Sequence, residues 1–417
     1  MALSDLALHG GSKVKTTPFS TGKKYGEREL EELREAIDQG TLFYAHGKKT
    51  AEFEKKFAEI EGVAHCVATS SGSAALHTAV AALELGVGEE VITSPITDMG
   101  SLIGILLQNA VPIFADVDPH TYNITAETIA ERITDKTRGI LVVHLAGNPA
   151  DMDPILELAR KHDLWVVEDC AQAYLASYKG RLTGTMGDIG CFSLNDWKHI
   201  SAGDAGLLVT NDRALAKKAR LFTDKCYDRE KPGRDPQWFG MNYRISELQS
   251  AVGLAQLEKL QWICDRRSEI GERITQGIQD LPGIFPHKVT DGGRSTFWFY
   301  MLRVDESELG VSAETFAEAL GAEGIPAAYG YIKKPVYEWT FLKERRIYPN
   351  FNWPEDFPQY GKPLRYEHGL CPVAEEVLRT CVTIPLSEFY SDEDVGAIVE
   401  AIRKVAEVYH QEKGGHA

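Results

Sequence analysis

The sequence predicts an α/β protein: a mostly parallel central sheet with helices on both faces, and a smaller α/β domain at the C-terminal end. Three observations predict it. Short apolar, β-branched runs alternate with helical patterns from about residue 60 to 220, which is the rhythm of βαβ units. A long helical stretch follows, and after it the pattern changes to strand, helix and loop. A length of 417 residues exceeds one small core and suits one large domain plus a smaller one. We place the boundary near residue 270, so that residues 1–270, with an N-terminal arm, form the large domain and residues 271–417 the small one.

In chain order the predicted strands are 66–69, 90–95, 111–117, 139–145, 164–170, 189–194 and 206–210. Helical patterns at 73–85, 126–133, 154–162 and 213–222 separate them. From residue 245 to about 278 the spacing predicts one long helix, with Ile245, Leu248, Val252 and Ala255 on its apolar face. A strand at 295–303 and a helix at 313–322 come next. Residues 329–366 form a long aromatic and basic loop rich in Pro and Tyr, and a loop of that length marks a functional or flexible segment. The last helix, 392–411, leads into a Gly-Gly-His-Ala tail expected to be disordered.

Composition narrows the function. A net charge of −16 disfavours broad nucleic-acid binding through a basic face. The most apolar region, 101–117, is broken by Gln108, Asn109, Pro112 and Asp116, so no segment reads as a membrane span. The first residues show no basic region followed by an apolar stretch, so no secretory signal is expected. Seven cysteines, an odd number without a Cys-x-x-Cys pair, read as reduced, cytoplasmic and not zinc-binding.

A parallel sheet places its ligand beyond the carboxyl ends of its strands. Two such ends carry chemistry. The run Leu164-Trp165-Val166-Val167-Glu168-Asp169 finishes on a carboxylate, and Ser70-Ser71-Gly72-Ser73 follows the first strand and opens a helix. Small residues there let backbone N–H groups approach a phosphate at a helix N-terminus. Downstream, Ser193 is followed five residues later by Lys198. Together a strand-end carboxylate, a serine and a lysine can hold pyridoxal phosphate by its ring nitrogen, its phosphate and its aldehyde. Schiff-base chemistry needs a neutral amine, which partial burial supplies. Taken singly, each group has an ordinary reading: a serine N-cap, a capping carboxylate, a solvated loop amide at Gln172, a solvated lysine at Lys198, a structural His199. Their order and spacing favour the cofactor.

The chain resembles the DegT/DnrJ/EryC1/StrS family of sugar aminotransferases, pyridoxal-phosphate enzymes of fold type I. The likeness covers roughly residues 10 to 410. It includes Asp116-Val117-Asp118-Pro119-His120-Thr121-Tyr122-Asn123, the stretch from Val143 to Asp153, and Asn242-Tyr243-Arg244-Ile245-Ser246-Glu247-Leu248-Gln249. The resemblance implies that Lys198 carries the cofactor aldehyde and Asp169 pairs with the pyridine nitrogen. Gln172 would contact the ring oxygen, while Gly72, Ser73 and Ser193 would hold the phosphate. Asn242 matches a residue that reaches the neighbouring subunit's cofactor phosphate, which implies a homodimer with shared sites.

The chain departs from the family pattern twice. Where an aromatic residue usually covers the cofactor ring, the segment reads Thr97-Asp98-Met99, so either Asp98 bonds a polar cofactor atom or Met99 covers the face. A His-Tyr-x-x-x-x-His stretch common in nucleotide-sugar members is replaced by Tyr329-Gly330-Tyr331-Ile332-Lys333-Lys334-Pro335-Val336-Tyr337. The chain thereby resembles more closely the aminocyclitol and aminohydroxybenzoate branch. The resemblance implies a ping-pong transfer from L-glutamate or L-glutamine to a keto-sugar or keto-cyclitol, with Tyr331, Lys333, Lys334 and Tyr337 lining the acceptor pocket. The alternatives are a sugar dehydratase and a cofactor-binding regulator without turnover. Family dehydratases carry histidine in place of the lysine, so Lys198 favours transamination.

Overall fold

Seven strands between residues 60 and 220 pair into one sheet, as the alternating pattern predicts. In chain order the strands of this part are β1 (His65–Thr69), β2 (Glu90–Thr93), β3 (Val111–Phe114), β4 (Thr137–Val143), β5 (Trp165–Asp169), β6 (Ser177–Tyr178), β7 (Arg181–Leu182), β8 (Ile189–Ser193) and β9 (Gly206–Thr210). The large sheet runs β1-β9-β8-β5-β4-β2-β3. β3, β2, β4, β5 and β8 are parallel, and β9 alone runs antiparallel, to both β8 and β1. Covered on both faces, β2, β8 and β9 are buried at every position, which is why they read as continuous apolar runs. The computed structural model describes residues 2–415 apart from 234, 237, 349, 358, 359, 361 and 362.

Helices Glu27–Asp38, Lys49–Glu61, Pro372–Thr380 and Met99–Leu107 were not predicted from the sequence, and the last of these bears on the site. Met99–Leu107 buries Gly100, Ser101, Leu102, Gly104, Ile105 and Leu106. A helix buried this widely has no polar stripe to reveal its period, so 101–117 reads only as an apolar run. It packs closely on helix Gly72–Ala82: a Cβ at Gly104 would lie 2.7 Å from His77 Cα.

The long helix spans Glu247–Ile278 and is capped by Ser246, whose hydroxyl accepts from Gln249 N. Its predicted apolar face is corrected in part. Leu248 and Val252 are half exposed, whereas Ser250, Ala251, Leu254 and Leu257 are buried. Helices Glu27–Asp38 and Lys49–Glu61 both pack on it, so its burial follows those neighbours and not one stripe.

Beyond it lie β10 (Ile284–Phe285), β11 (Gly293–Arg294), β12 (Phe299–Val304), β13 (Ala328–Tyr329) and β14 (Cys381–Pro385). β10, β12, β14 and β13 form a second, antiparallel sheet in that order, while β11 joins β6 and β7. Helix Ala313–Ala322 matches its prediction, and the last helix extends to Gly415. Of the tail expected to be disordered, His416 and Ala417 lie outside the described residues.

The 329–366 segment is not a solvated loop. Tyr337, Trp353, Tyr360 and Tyr366 are buried in one cluster with Phe114, Ile92 and Val111 of the large sheet. Tyr366 donates to the carbonyl of Pro112 at 2.6 Å and Val336 N to that of Pro95 at 3.0 Å. The segment straps the outer edge at β3, where its aromatic rings replace a neighbouring strand.

Candidate active site

A cavity of about 470 Å³ opens where β5 and β8 end and where the turn after β1 becomes a helix. Asp169, the last residue of β5, is 6% exposed. Its Oδ2 accepts from Ser101 Oγ at 2.7 Å and its Oδ1 from Ala171 N at 3.1 Å. Burial raises its pKa, against those two hydrogen bonds and the charge of Lys198, which lower it. The cation that acts on this carboxylate is the amine of Lys198.

Ser193 ends β8 and Lys198 follows in the loop leading to β9. Lys198 N bonds the carbonyl of Asn195 at 2.9 Å, which tightens the turn. The amine sits 3.7 Å from the ring centroid of Trp298. Burial lowers the Lys198 pKa to about 8, and the carboxylates of Asp169 and Asp98 resist that fall. The N-terminal arm holds the same loop: Lys24 donates to the carbonyls of Asp196 and Lys198, and Tyr25 OH to Asp196 Oδ1 at 2.6 Å.

Gly72 and Ser73 open helix Gly72–Ala82, whose cap, Ser71, accepts from Ala74 N. First-turn amides have no partner within a helix and attract anions. A Cβ at Gly72 would fall 2.5 Å from Ser193 Cβ, so glycine is needed for the serine to reach this turn.

Gln172 is buried, not solvated. Its Oε1 accepts from Ala146 N at 2.8 Å and its Nε2 donates to Tyr331 OH at 3.1 Å. Asp98 caps helix Met99–Leu107 by accepting from Gly100 N and lines the cavity. Met99 packs against the core instead. Asn242 is exposed and does not line this cavity. Of the acceptor-pocket group, Tyr331 meets Gln172, whereas Lys333 and Lys334 are exposed. Tyr337 is corrected: it is fully buried, with its hydroxyl on Glu375.

Behind Asp169, Glu168 is fully buried and accepts from His144 Nε2 at 2.9 Å and from the amides of Gly184, Met186 and Gly187. Burial pushes its pKa up, but these bonds outweigh it and hold the carboxyl below the usual range. Ala150 N donates to His144 Nδ1, which fixes the proton on Nε2. His199 donates to the carbonyl of Thr296 at 3.0 Å, and burial takes its pKa down to about 3.

This site has its counterpart in other proteins. The model of the DegT/DnrJ/EryC1/StrS aminotransferase family matches residues 23–403. The chain belongs to this family. Within it, the chain is 34% identical over 418 residues (96% of this chain, 98% of the relative) to a Streptoalloteichus tenebrarius protein provisionally named L-glutamine:3-amino-2,3-dideoxy-scyllo-inosose aminotransferase. It is 38% identical over 320 residues (72% and 82%) to the GDP-perosamine synthase of Caulobacter vibrioides. The solved aminotransferase of Psychrobacter cryohalolentis superposes with a TM-score of 0.82 at 28% identity, covering 94% of this chain and 100% of that one.

The site also holds groups that sequence reasoning missed. Ser101 lay in an unrecognised helix, and Trp298 lay in a predicted strand with nothing to mark its face. Lys24 and Tyr25 sit in an arm without periodicity. A tryptophan beside a strand of the second sheet carries no sequence signal that it will meet Lys198.

Proposed function

We propose that this chain is a pyridoxal-phosphate-dependent aminotransferase that moves an amino group from L-glutamine or L-glutamate to a keto-sugar or keto-cyclitol in a ping-pong cycle. The observation that carries this reading is one cavity holding both the lowered amine of Lys198 and the buried carboxylate of Asp169, on which the charge of that amine acts. The residues fit the cofactor. Asp169 suits a ring nitrogen that carries a proton, and the first-turn amides beside Gly72 suit a phosphate.

When bound, the cofactor supplies an electron sink for the carbon that loses its proton. In our reading Asp169 keeps the ring nitrogen protonated, while Gly72, Ser73 and Ser193 hold the phosphate. Gln172 and Asp98 would offer polar groups to the ring. Lys198 would hold the aldehyde, and its Nζ, when neutral, would take the donor's α-proton and later return it. An amine titrating near 8 is partly neutral at neutral pH and still a usable acid.

The acceptor we favour carries no diphosphate. Charged groups lining the cavity are the carboxylates of Asp98, Asp169 and Asp204 and the single amine of Lys198. Beyond Lys198, which the cofactor would engage, the described lining offers a further diphosphate no cationic side chain. We further place the protein in the cytoplasm as a homodimer. Seven free cysteines support the compartment. Exposed Asn242, Leu30, Ile37 and Phe239 support a self-association surface. Among the described residues no helix is long and apolar enough to cross a membrane.

The test is the visible spectrum of the pyridoxal-phosphate-loaded protein during addition of L-glutamine or L-glutamate. Loss of the yellow band with growth of the amine-form band supports the donor half-reaction. No yellow band at all sinks the cofactor reading, and a band inert to both donors sinks the proposed donors.

A further inference from the structure

Trp298 meets the lysine loop in two ways. The Lys198 amine lies 3.7 Å from its ring centroid, and its indole Nε1 donates to the carbonyl of Trp197 at 2.6 Å. The tryptophan is itself tied down from two further sides. Its backbone N–H bonds the carbonyl of Ala146 at 3.0 Å, and its carbonyl accepts from Arg267 Nη1 at 3.0 Å. Arg267 is buried and paired with buried Glu388 at 2.8 Å. Phe297, immediately before it, is fully buried, so the ring hangs from a rigid strand entry.

A charged amine over an indole face is attracted by the ring's negative quadrupole, whereas a neutral amine is not. The face therefore distinguishes the two protonation states that Lys198 must exchange. Around the same amine stand Asp169 at the end of β5 and Asp98 at the start of helix Met99–Leu107, both favouring its charge. Tyr331 and neutral His199 are nearby, Lys24 bonds the Lys198 carbonyl, and Arg267 lies behind His199.

We propose that Trp298 is a positioning residue: its indole face is the berth in which the protonated Lys198 amine rests whenever it is not bonded to the cofactor, and its N–H fixes the peptide from which that amine swings. This rests on the reading of Lys198 as the working amine. The berth opposes part of the burial effect and returns Nζ to one place after each transfer. Loss of the proton releases the amine from the ring, and regain of the proton draws it back.

Competitive labelling with acetic anhydride over a pH series, read by mass spectrometry on the Lys198 peptide, measures the amine's pKa in the full-length protein without cofactor. Trp298→Phe keeps a ring face and is expected to leave that pKa within about 0.3 unit. Trp298→Leu removes the face and is expected to lower it by about 0.5–1.5 units, the range for a partly desolvated cation–π contact. Equal pKa values in all three proteins, or a rise in Trp298→Leu, overturn the berth. If Trp298→Leu does not fold, Trp298→Phe still decides the second half. Loss of the indole N–H should speed amide exchange at residues 195–199 and lower kcat while KM for the donor stays within about twofold; unchanged exchange overturns it. A Lys198 pKa that follows Trp298 in a protein unable to take up pyridoxal phosphate would leave the berth standing and sink the cofactor reading alone.

Discussion

Ser101 donates a 2.7 Å hydrogen bond to Oδ2 of Asp169, and its own hydroxyl is shared with Thr97 Oγ1 at 2.6 Å. A hydroxyl chain inside a buried helix thus sets the rotamer and the charge of the carboxylate at the end of β5. A hydrogen bond to a charged group contributes about 1.5–3 kcal/mol. Ser101→Ala is therefore expected to weaken cofactor retention and to lower kcat/KM for the amino donor about 10- to 100-fold. Ser101→Thr, which keeps the hydroxyl, should recover much of it. Dialysis against buffer followed by absorbance of bound cofactor provides the check.

Lys198→Ala removes the one amine that lines the cavity among the described residues. Transfer from L-glutamine should fall by about 10²–10⁴-fold, the usual worth of a positioned proton-transfer group. A small primary amine added to the buffer should restore part of the rate. A variant that still transfers at the parental rate would rule out Lys198 as the working amine.

Gly72→Ala tests the approach of Ser193 to the helix start. The new Cβ would lie 2.5 Å from Ser193 Cβ and 3.1 Å from its Cα, so the strand end must shift. Overpacking of this kind costs about 1–3 kcal/mol. The expected result is a lower midpoint in urea together with weaker pyridoxal phosphate binding. A control at Gly203, where nothing stands within 4 Å but φ is +78°, should be strained without affecting the cofactor.

Glu61 gives a pH prediction. Both its carboxyl oxygens are buried without a hydrogen-bond partner, and burial, aided by Glu168, raises its pKa from 4.5 to about 8. The native state therefore keeps this proton longer than the unfolded chain does. Stability is expected to fall as pH rises from about 4.5 to 8, on the order of 2–5 kcal/mol over the window. Glu61→Gln should flatten that decline in urea titrations made across pH 5 to 9. An identical slope in parent and variant would contradict it.

Glu168 has the opposite sign. Its carboxyl is held low by His144 and three backbone amides, so its contribution is present above the unfolded value and is lost as pH falls through the folded one. Glu168→Gln should shift acid unfolding to a less steep curve, read by circular dichroism between pH 6 and 2.

The strands of the large sheet were legible, though not their order, because buried parallel strands are short, apolar and regularly spaced. That Lys198, Asp169, Ser193 and Gly72 would meet at one cavity was legible, because strand ends put them at fixed places in the chain. The rest was hidden for physical reasons. Helix Met99–Leu107 is buried nearly all round and shows no period. Residues 329–366 read as an aromatic and basic loop rich in Pro and Tyr, yet Tyr348 and Tyr366 satisfy their hydroxyls on backbone carbonyls of the large sheet's side. Trp298 and Gln172 act through partners more than a hundred residues away, and no local pattern reports such a pairing.

The aromatic strap over β3 also bears on how the chain is made. Phe114 and Ile92 emerge from the ribosome more than two hundred residues before Trp353 and Tyr366, which cover them. Through that interval the sheet's outer edge has an uncovered apolar flank and unpaired strand groups, a surface prone to joining other chains. A nascent or truncated chain ending near residue 270 would present that edge until Trp353 and Tyr366 are added.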